Sequence, residues 1–164
     1  MDIFNIQNKL ANFMFLSKAL KEIKENKSLR NNNHELDSSN NSLLHISAAS
    51  GDAKSCIKLI NAGLNVNAQN NSLWTPLHFA CFIDNIEVVK LLIENKSNIN
   101  SIADSSQKNF IYDDGFQQEL IENTPLDIAY QALPYSISQY TSPVIKLLIS
   151  HGALTAQSIN SEGK

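Results

Sequence analysis

Two four-residue blocks, Ser42-Leu43-Leu44-His45 and Thr75-Pro76-Leu77-His78, lie 33 residues apart. Thr124-Pro125-Leu126-Asp127 opens the same way a third time. No other feature constrains the fold as much. A unit repeated at this period cannot bury its apolar face alone and must stack on its neighbours. Each block leads into an apolar stretch at helical spacing. These are Cys56, Leu59 and Ile60, then Val88 to Ile93, then Val144 to Ile149. Each stretch ends in an exit segment: Ala62 to Ala68, Lys96 to Ser101, and His151 to Leu154.

The residue types give local reasons for helix pairs. Thr75 is a candidate N-cap, its hydroxyl able to accept from an orphan helix N–H. Pro76 follows at the first helical position, where its missing N–H costs nothing. Leu77 and Ala80 are expected to face the partner helix, and Cys81 to fill a place where helices approach closely. Gly63 and Gly152 suit the left-handed conformation that ends a helix. The second unit has Lys96 at that place, and Asp84-Asn85 where the first has Gly51-Asp52. Looser helix ends are expected there, with Asn95 or Asn85 taking the positive-φ role.

The TPLH-like box, the VVKLLI-like helix and the GADVNA-like exit at one fixed period resemble the ankyrin-repeat family over roughly residues 38–154. The resemblance implies an all-α solenoid of stacked helix-loop-helix units, with loops projecting at right angles and a concave recognition face. The expected division is residues 1–37 as N-terminal cap and connector and 38–154 as the repeat domain. Its repeats run over 38–69, 70–102 and 120–154, with a loop insertion at 103–119, and 155–164 form a frayed tail. The third repeat departs most. His45 to His78 is 33 residues but His78 to Asp127 is 49, so sixteen extra residues fall between Ser101 and Asn123. About seven more, with Pro134 and Pro143, separate Ala129 from Val144, and Asp127 replaces the box histidine.

Residues 2–27 read as a further helix, with Ile3, Ile6, Leu10, Phe13 and Leu20 at three- and four-residue steps. Its expected role is to cap the open side of the first repeat. Residues 28–41 are a polar connector.

Composition narrows the function classes. The chain has 164 residues, 43% of them hydrophobic and 18% charged, enough for a core without disulfides or metal. A net charge of −3 argues against nucleic acid. Two cysteines, Cys56 and Cys81, are too few for a disulfide framework and point to a reducing, cytoplasmic setting. No apolar run approaches membrane-spanning length, and no signal-peptide core is visible. The 21 Asn and 18 Ile against 5 Gly imply many turns or an AT-rich genome.

Catalytic or metal chemistry finds little support. His45 and His78 are a repeat apart, and the family's box histidine orders backbone and adjacent loops. His151 lies near a helix C-terminus, where a cation meets the dipole well. His34 falls in the polar connector. Both cysteines lack a paired base. No phosphate loop or nucleophile elbow is present. The expectation is therefore no enzyme, no cofactor and no metal. One alternative left open is an enzyme with a site around Asp113, Asp114 and Glu119.

The informative residues are apolar side chains at places the repeat leaves exposed. Registering on His78 puts Asn71, Ser72 and Trp74 on the loop before the second box, and Phe82 and Ile83 on the surface of its first helix. The first repeat has Ser38, Ser39, Asn41, Ala49 and Ser50 there. Residues 101–123 carry five acids against Lys108, a net of −4, interleaved with Phe110, Ile111, Tyr112 and Phe116. Linkers do not hold so many large apolar groups. The expected site therefore joins Asn71, Ser72, Trp74, Phe82 and Ile83 to Phe110, Tyr112 and Phe116. It would bind a protein partner bearing a basic patch, unless the insertion itself folds over Trp74 and Phe82. Truncating Trp74 is expected to weaken binding and leave the fold nearly unchanged. The chain reads as a monomer or weak dimer. A host-directed effector of an intracellular microbe, able to reach a host cytosol, is one setting; a regulatory or self-associating scaffold subunit is the other.

Overall fold

The computed structural model describes residues 40–104, 122–132 and 142–162. The expected helix over 2–27, His34, the aromatic residues Phe110, Tyr112 and Phe116, and the carboxylates Asp113, Asp114 and Glu119 lie outside the described residues.

Three helix pairs form the stack: α1 (Leu43–Ala49) with α2 (Ala53–Asn61), α3 (Pro76–Phe82) with α4 (Ile86–Glu94), and α5 (Pro125–Gln131) with α6 (Pro143–Ser150). A seventh helix, α7 (Ala156–Glu162), follows. The first helices pack in one layer, α1 on α3 on α5; the second helices pack in another, α2 on α4 on α6. The interior between the layers repeats with the sequence. Leu44, Leu77 and Leu126 are buried at one level, and Leu59, Leu92 and Leu148 at another. Each such side chain contributes roughly 1.5–3 kcal/mol by leaving water. Cys56 and Cys81 are buried free thiols. Burial, with Asp52 nearby, pushes Cys56 up to about 12, and burial drives Cys81 higher still, so neither is a thiolate nucleophile near neutrality.

The boxes work as reciprocal caps. In each, the side chain three residues into the block accepts the N–H of the cap residue. Nδ1 of His45 lies 3.0 Å from the Ser42 nitrogen and Nδ1 of His78 lies 3.1 Å from that of Thr75. Oδ2 of Asp127 lies 2.9 Å from the Thr124 nitrogen.

The turns obey the period more strictly than the residue types do. Positive φ recurs at Asn40 and Leu73, at Gly51 and Asp84, and at Gly63 and Lys96, each pair 33 residues apart, and again at Gly152. The expectation that Asn85 or Asn95 would supply these conformations is therefore corrected. Asn85 is instead an N-cap with φ −92, its side chain accepting from the Val88 N–H, and Asn95 is a C-cap with φ −94. The stack repeats the backbone at each position: Asp84 is a type that tolerates it, and Lys96 adopts it despite its side chain.

Residues 103–104 and 122–123 form a two-residue antiparallel ladder, β1 (Ala103–Asp104) with β2 (Glu122–Asn123), pairing Ala103 with Asn123. It closes the base of the long insertion. The expected frayed tail at 155–164 is also corrected. Residues 156–162 are helical, with the Thr155 hydroxyl accepting the Ser158 N–H at 3.3 Å as a local cap, Asp127 accepting the Ala156 N–H at 2.8 Å, and the Asn160 amide donating to Glu122 at 2.9 Å.

Candidate functional site

The loop that enters α3 is built on Asn70. Its side-chain oxygen accepts from both the Ser72 and Trp74 N–H groups at 2.9 Å, and its amide donates to Asn41 at 2.9 Å. This buried asparagine ties the second loop to the first and aims the residues between. Asn71 is exposed and Ser72 half-buried. Leu73 stands at the tip with φ 57 and is 43% exposed.

Trp74 turns back onto α3. Its ring lies 5.8 Å from that of His78, 5.0 Å from Phe79 and 6.1 Å from Phe82. Its carbonyl accepts from His45 Nε2 at 3.0 Å. Trp74 is thus half-buried, its ring packed against α3 and its backbone carbonyl tied to the first repeat. Phe82 is 49% exposed and Ile83, at the end of α3, 38% exposed. The structure therefore brings Trp74 and Phe82 together at one face of the second pair, with Ile83 next along the chain. Leu73 is the residue sequence reasoning missed. The signal was available: one period earlier stands Asn40, a polar residue suited to a left-handed turn, and leucine is not.

His78 links this face to the base of the insertion. Its Nδ1 accepts from the Thr75 amide, so Nε2 carries the ring proton and donates to the Asn123 carbonyl at 3.3 Å. Burial pulls its pKa down to about 4, keeping the ring neutral in this role. Exposed Glu122 therefore sits one residue from the carbonyl that His78, and through it Trp74, touches.

No group of three or more His, Cys, Asp or Glu among the described residues could hold a metal ion. No helix among them is long and apolar enough to cross a membrane. His151 caps α6, its Nδ1 lying 2.9 Å from the Leu147 carbonyl.

The family model described as ankyrin repeats (3 copies) matches residues 11–103. The chain belongs to the ankyrin-repeat family. The match begins upstream of the boundary at 38 drawn from the boxes. An ankyrin repeat protein of fowlpox virus is 31% identical over 112 residues, which is 68% of this chain and 27% of the viral protein. Protein phosphatase 1 regulatory subunit 12A of mouse is 43% identical over 81 residues, 47% of this chain and 8% of that protein. An ankyrin and IPT/TIG repeat-containing protein of Schizosaccharomyces pombe is 34% identical over 73 residues, 44% of this chain and 6% of the yeast protein. The chain thus spans less than a third of the length of these relatives. Ankyrin repeats bind protein partners, and the family is in general non-enzymatic.

Proposed function

We propose that this chain is a non-catalytic module that binds a protein partner through the second repeat. The contact surface is Asn71, Ser72, Leu73, Trp74, Phe82 and Ile83, extended by Phe110, Tyr112 and Phe116 of the insertion. The repeats are those bounded at 38–69, 70–102 and 120–154. One observation carries the reading. Large apolar side chains stand exposed around an aromatic cluster on the face formed by first helices and loops, while the first repeat keeps small or polar residues there. Exposed aromatic groups backed by a rigid frame are the usual anchors of interfaces. The mechanism is surface complementarity, with no bond made or broken. The −4 charge of residues 101–123 favours a partner with a basic patch, and such steering weakens in salt.

A regulatory subunit of a larger complex is the second reading, favoured by the likeness to the phosphatase regulatory subunit. A host-directed role in an AT-rich microbe is supported by the Asn and Ile content and by the viral relative. Affinity capture with the wild-type chain, Phe82→Ala and a chain lacking 105–121 tests the surface. We expect captured proteins to be lost with Phe82→Ala, at a cost of about 2 kcal/mol in binding. An unchanged set of captured proteins with both variants would place the interface elsewhere.

A further inference from the structure

We propose that the occupant of the Leu73–Trp74–Phe82–Ile83 surface is a basic polypeptide segment carrying bulky apolar anchors. The inference rests on the reading that this face binds protein, and it narrows the basic partner to a polypeptide segment with apolar anchors, argued from the described repeat face rather than from the insertion.

The described lysines are sorted by layer, whereas acids occur in both, Glu87 and Glu94 on α4 and Asp127 on α5. Every lysine sits on a second helix or at an exit: Lys54 and Lys58 on α2, Lys90 on α4, Lys146 on α6, and Lys96 at the exit after α4. The described residues include no arginine. The first helices and the described parts of the loops that enter them hold no lysine, and their histidines, His45 and His78, are buried. Acidic groups do occur beside this face. Asp84 follows Ile83, is exposed and accepts from the Ser142 hydroxyl with one carboxylate oxygen; Glu122 is exposed at the base of the insertion, next to the Asn123 carbonyl that His78 holds, and accepts from the Asn160 amide with one of its own. A cationic segment laid across the apolar residues therefore meets acid near both Ile83 and Asn123, with no described lysine on that face to repel it. A nucleic acid or an acidic lipid surface meets only repulsion in the same place.

Leu73 marks the apolar half. A left-handed backbone suits glycine or asparagine, and the first repeat has Asn40 with φ 62 at this position. The second repeat holds leucine in that conformation, 43% exposed and outside the apolar core. Nothing in the core gains from this side chain, whereas a partner's apolar residue would.

The test selects a displayed library of random tryptophan-free peptides on the full chain, then titrates winners while following emission from Trp74, the chain's single tryptophan. Winners should be enriched in Lys or Arg together with Leu, Ile or Phe. They should shift Trp74 emission saturably and bind about tenfold more weakly in high salt. Leu73→Gly should lower their affinity about tenfold without lowering the unfolding midpoint, because glycine suits the turn. Glu122→Gln should lower it a few-fold. Winners that are acidic or uncharged, yet move Trp74 emission and lose affinity with Phe82→Ala, would overturn the basic partner and leave the face intact. Winners that ignore both Trp74 and Phe82→Ala, or no winners at all, would sink the face itself.

Discussion

The second and third repeats use the same box for opposite purposes. In the second, His78 accepts with one ring nitrogen and donates with the other, so it joins its own cap to the Asn123 carbonyl of the next unit. His45 does the same between Ser42 and the Trp74 carbonyl. In the third repeat Asp127 can only accept. Its Oδ2 takes the Thr124 N–H and then the N–H of Ala156, at the start of α7. Histidine passes the chain of bonds to the next repeat's carbonyl; the carboxylate ends it on a helix N-terminus. The exits show the same contrast. Asn67 donates to the Lys96 carbonyl and accepts from the Asn98 N–H; Asn100 donates to the Gly152 carbonyl and accepts from the Leu154 N–H. At the matching place in the third repeat stands Ala156, which has no such side chain.

The largest effect should come from breaking the histidine link. His78→Ala removes its own bonds to the Thr75 N–H and the Asn123 carbonyl and opens a cavity in a fully buried place. We expect a loss of about 3 kcal/mol or more, read as a lower denaturant midpoint. Acid should act at the same place. The folded ring titrates near 4 against about 6.5 when unfolded. Above pH 6.5 both states are neutral and the stability is complete. As pH falls from 6.5 toward 4 the unfolded chain takes up the proton first, and about 3 kcal/mol drains away across that window. His78→Gln should flatten this part of the pH profile. An unchanged slope would mean that other groups carry the acid sensitivity.

Exchanging the two box residues is the next test. Asp127→His should place a protonated ring nitrogen against the Ala156 N–H, donor against donor, unless the ring reverses its tautomer and gives up the Thr124 amide. A cost of about 2 kcal/mol and faster hydrogen exchange across α7 are expected. Asp127→Asn keeps an acceptor oxygen and should cost under about 1 kcal/mol. Equal losses in the two variants would show that the charge, rather than the acceptor, holds α7. Asn100→Ala should cost about 1 kcal/mol and speed exchange of the Leu154 amide.

These residues also show how far a sequence can be read. The box, the apolar helix spacing and Gly63 or Gly152 announce themselves, because each residue type is suited to its local task. The helix pairs, the buried cysteines and the exposed Phe82 and Ile83 follow from that register. What escaped is set by neighbours instead. Lys96 adopts a left-handed conformation that its own chemistry disfavours, where the other exits have glycine, while Asp84 is a residue type that tolerates it. α7 starts on a local cap, the Thr155 hydroxyl accepting from the Ser158 N–H, and a carboxylate 29 residues earlier receives its first N–H; the cap is legible in the sequence and the long-range bond is not. Leu73 is marked only by comparison with Asn40 one period earlier, not by any pattern in its own neighbourhood. The asparagine excess, read as turns or genome composition, proves in part to be a set of inter-repeat bonds through Asn67, Asn70 and Asn100.

The smallest effect should appear at the exit of the second repeat, where the comparison can be sharpened by making it more like the others. Lys96 holds φ 67 where Gly63 and Gly152 hold 93 and 81. Next to it Ser97 is buried, and its hydroxyl has no hydrogen-bond partner among the described residues. The corresponding residues, Leu64 and Ala153, are apolar. Lys96→Gly relieves the left-handed strain but loosens the unfolded chain, for a net gain of about 0.5 kcal/mol. Ser97→Ala removes a hydroxyl that burial leaves unsatisfied, for a gain of about 1 kcal/mol. The sites are adjacent, so the double variant need not be additive, and the single variants decide the matter by thermal unfolding. A stabilised Ser97→Ala would show that the second exit is held below its optimum by its own residues. A destabilised one would mean that the hydroxyl is satisfied by ordered water, and that the second exit is as well sealed as its neighbours.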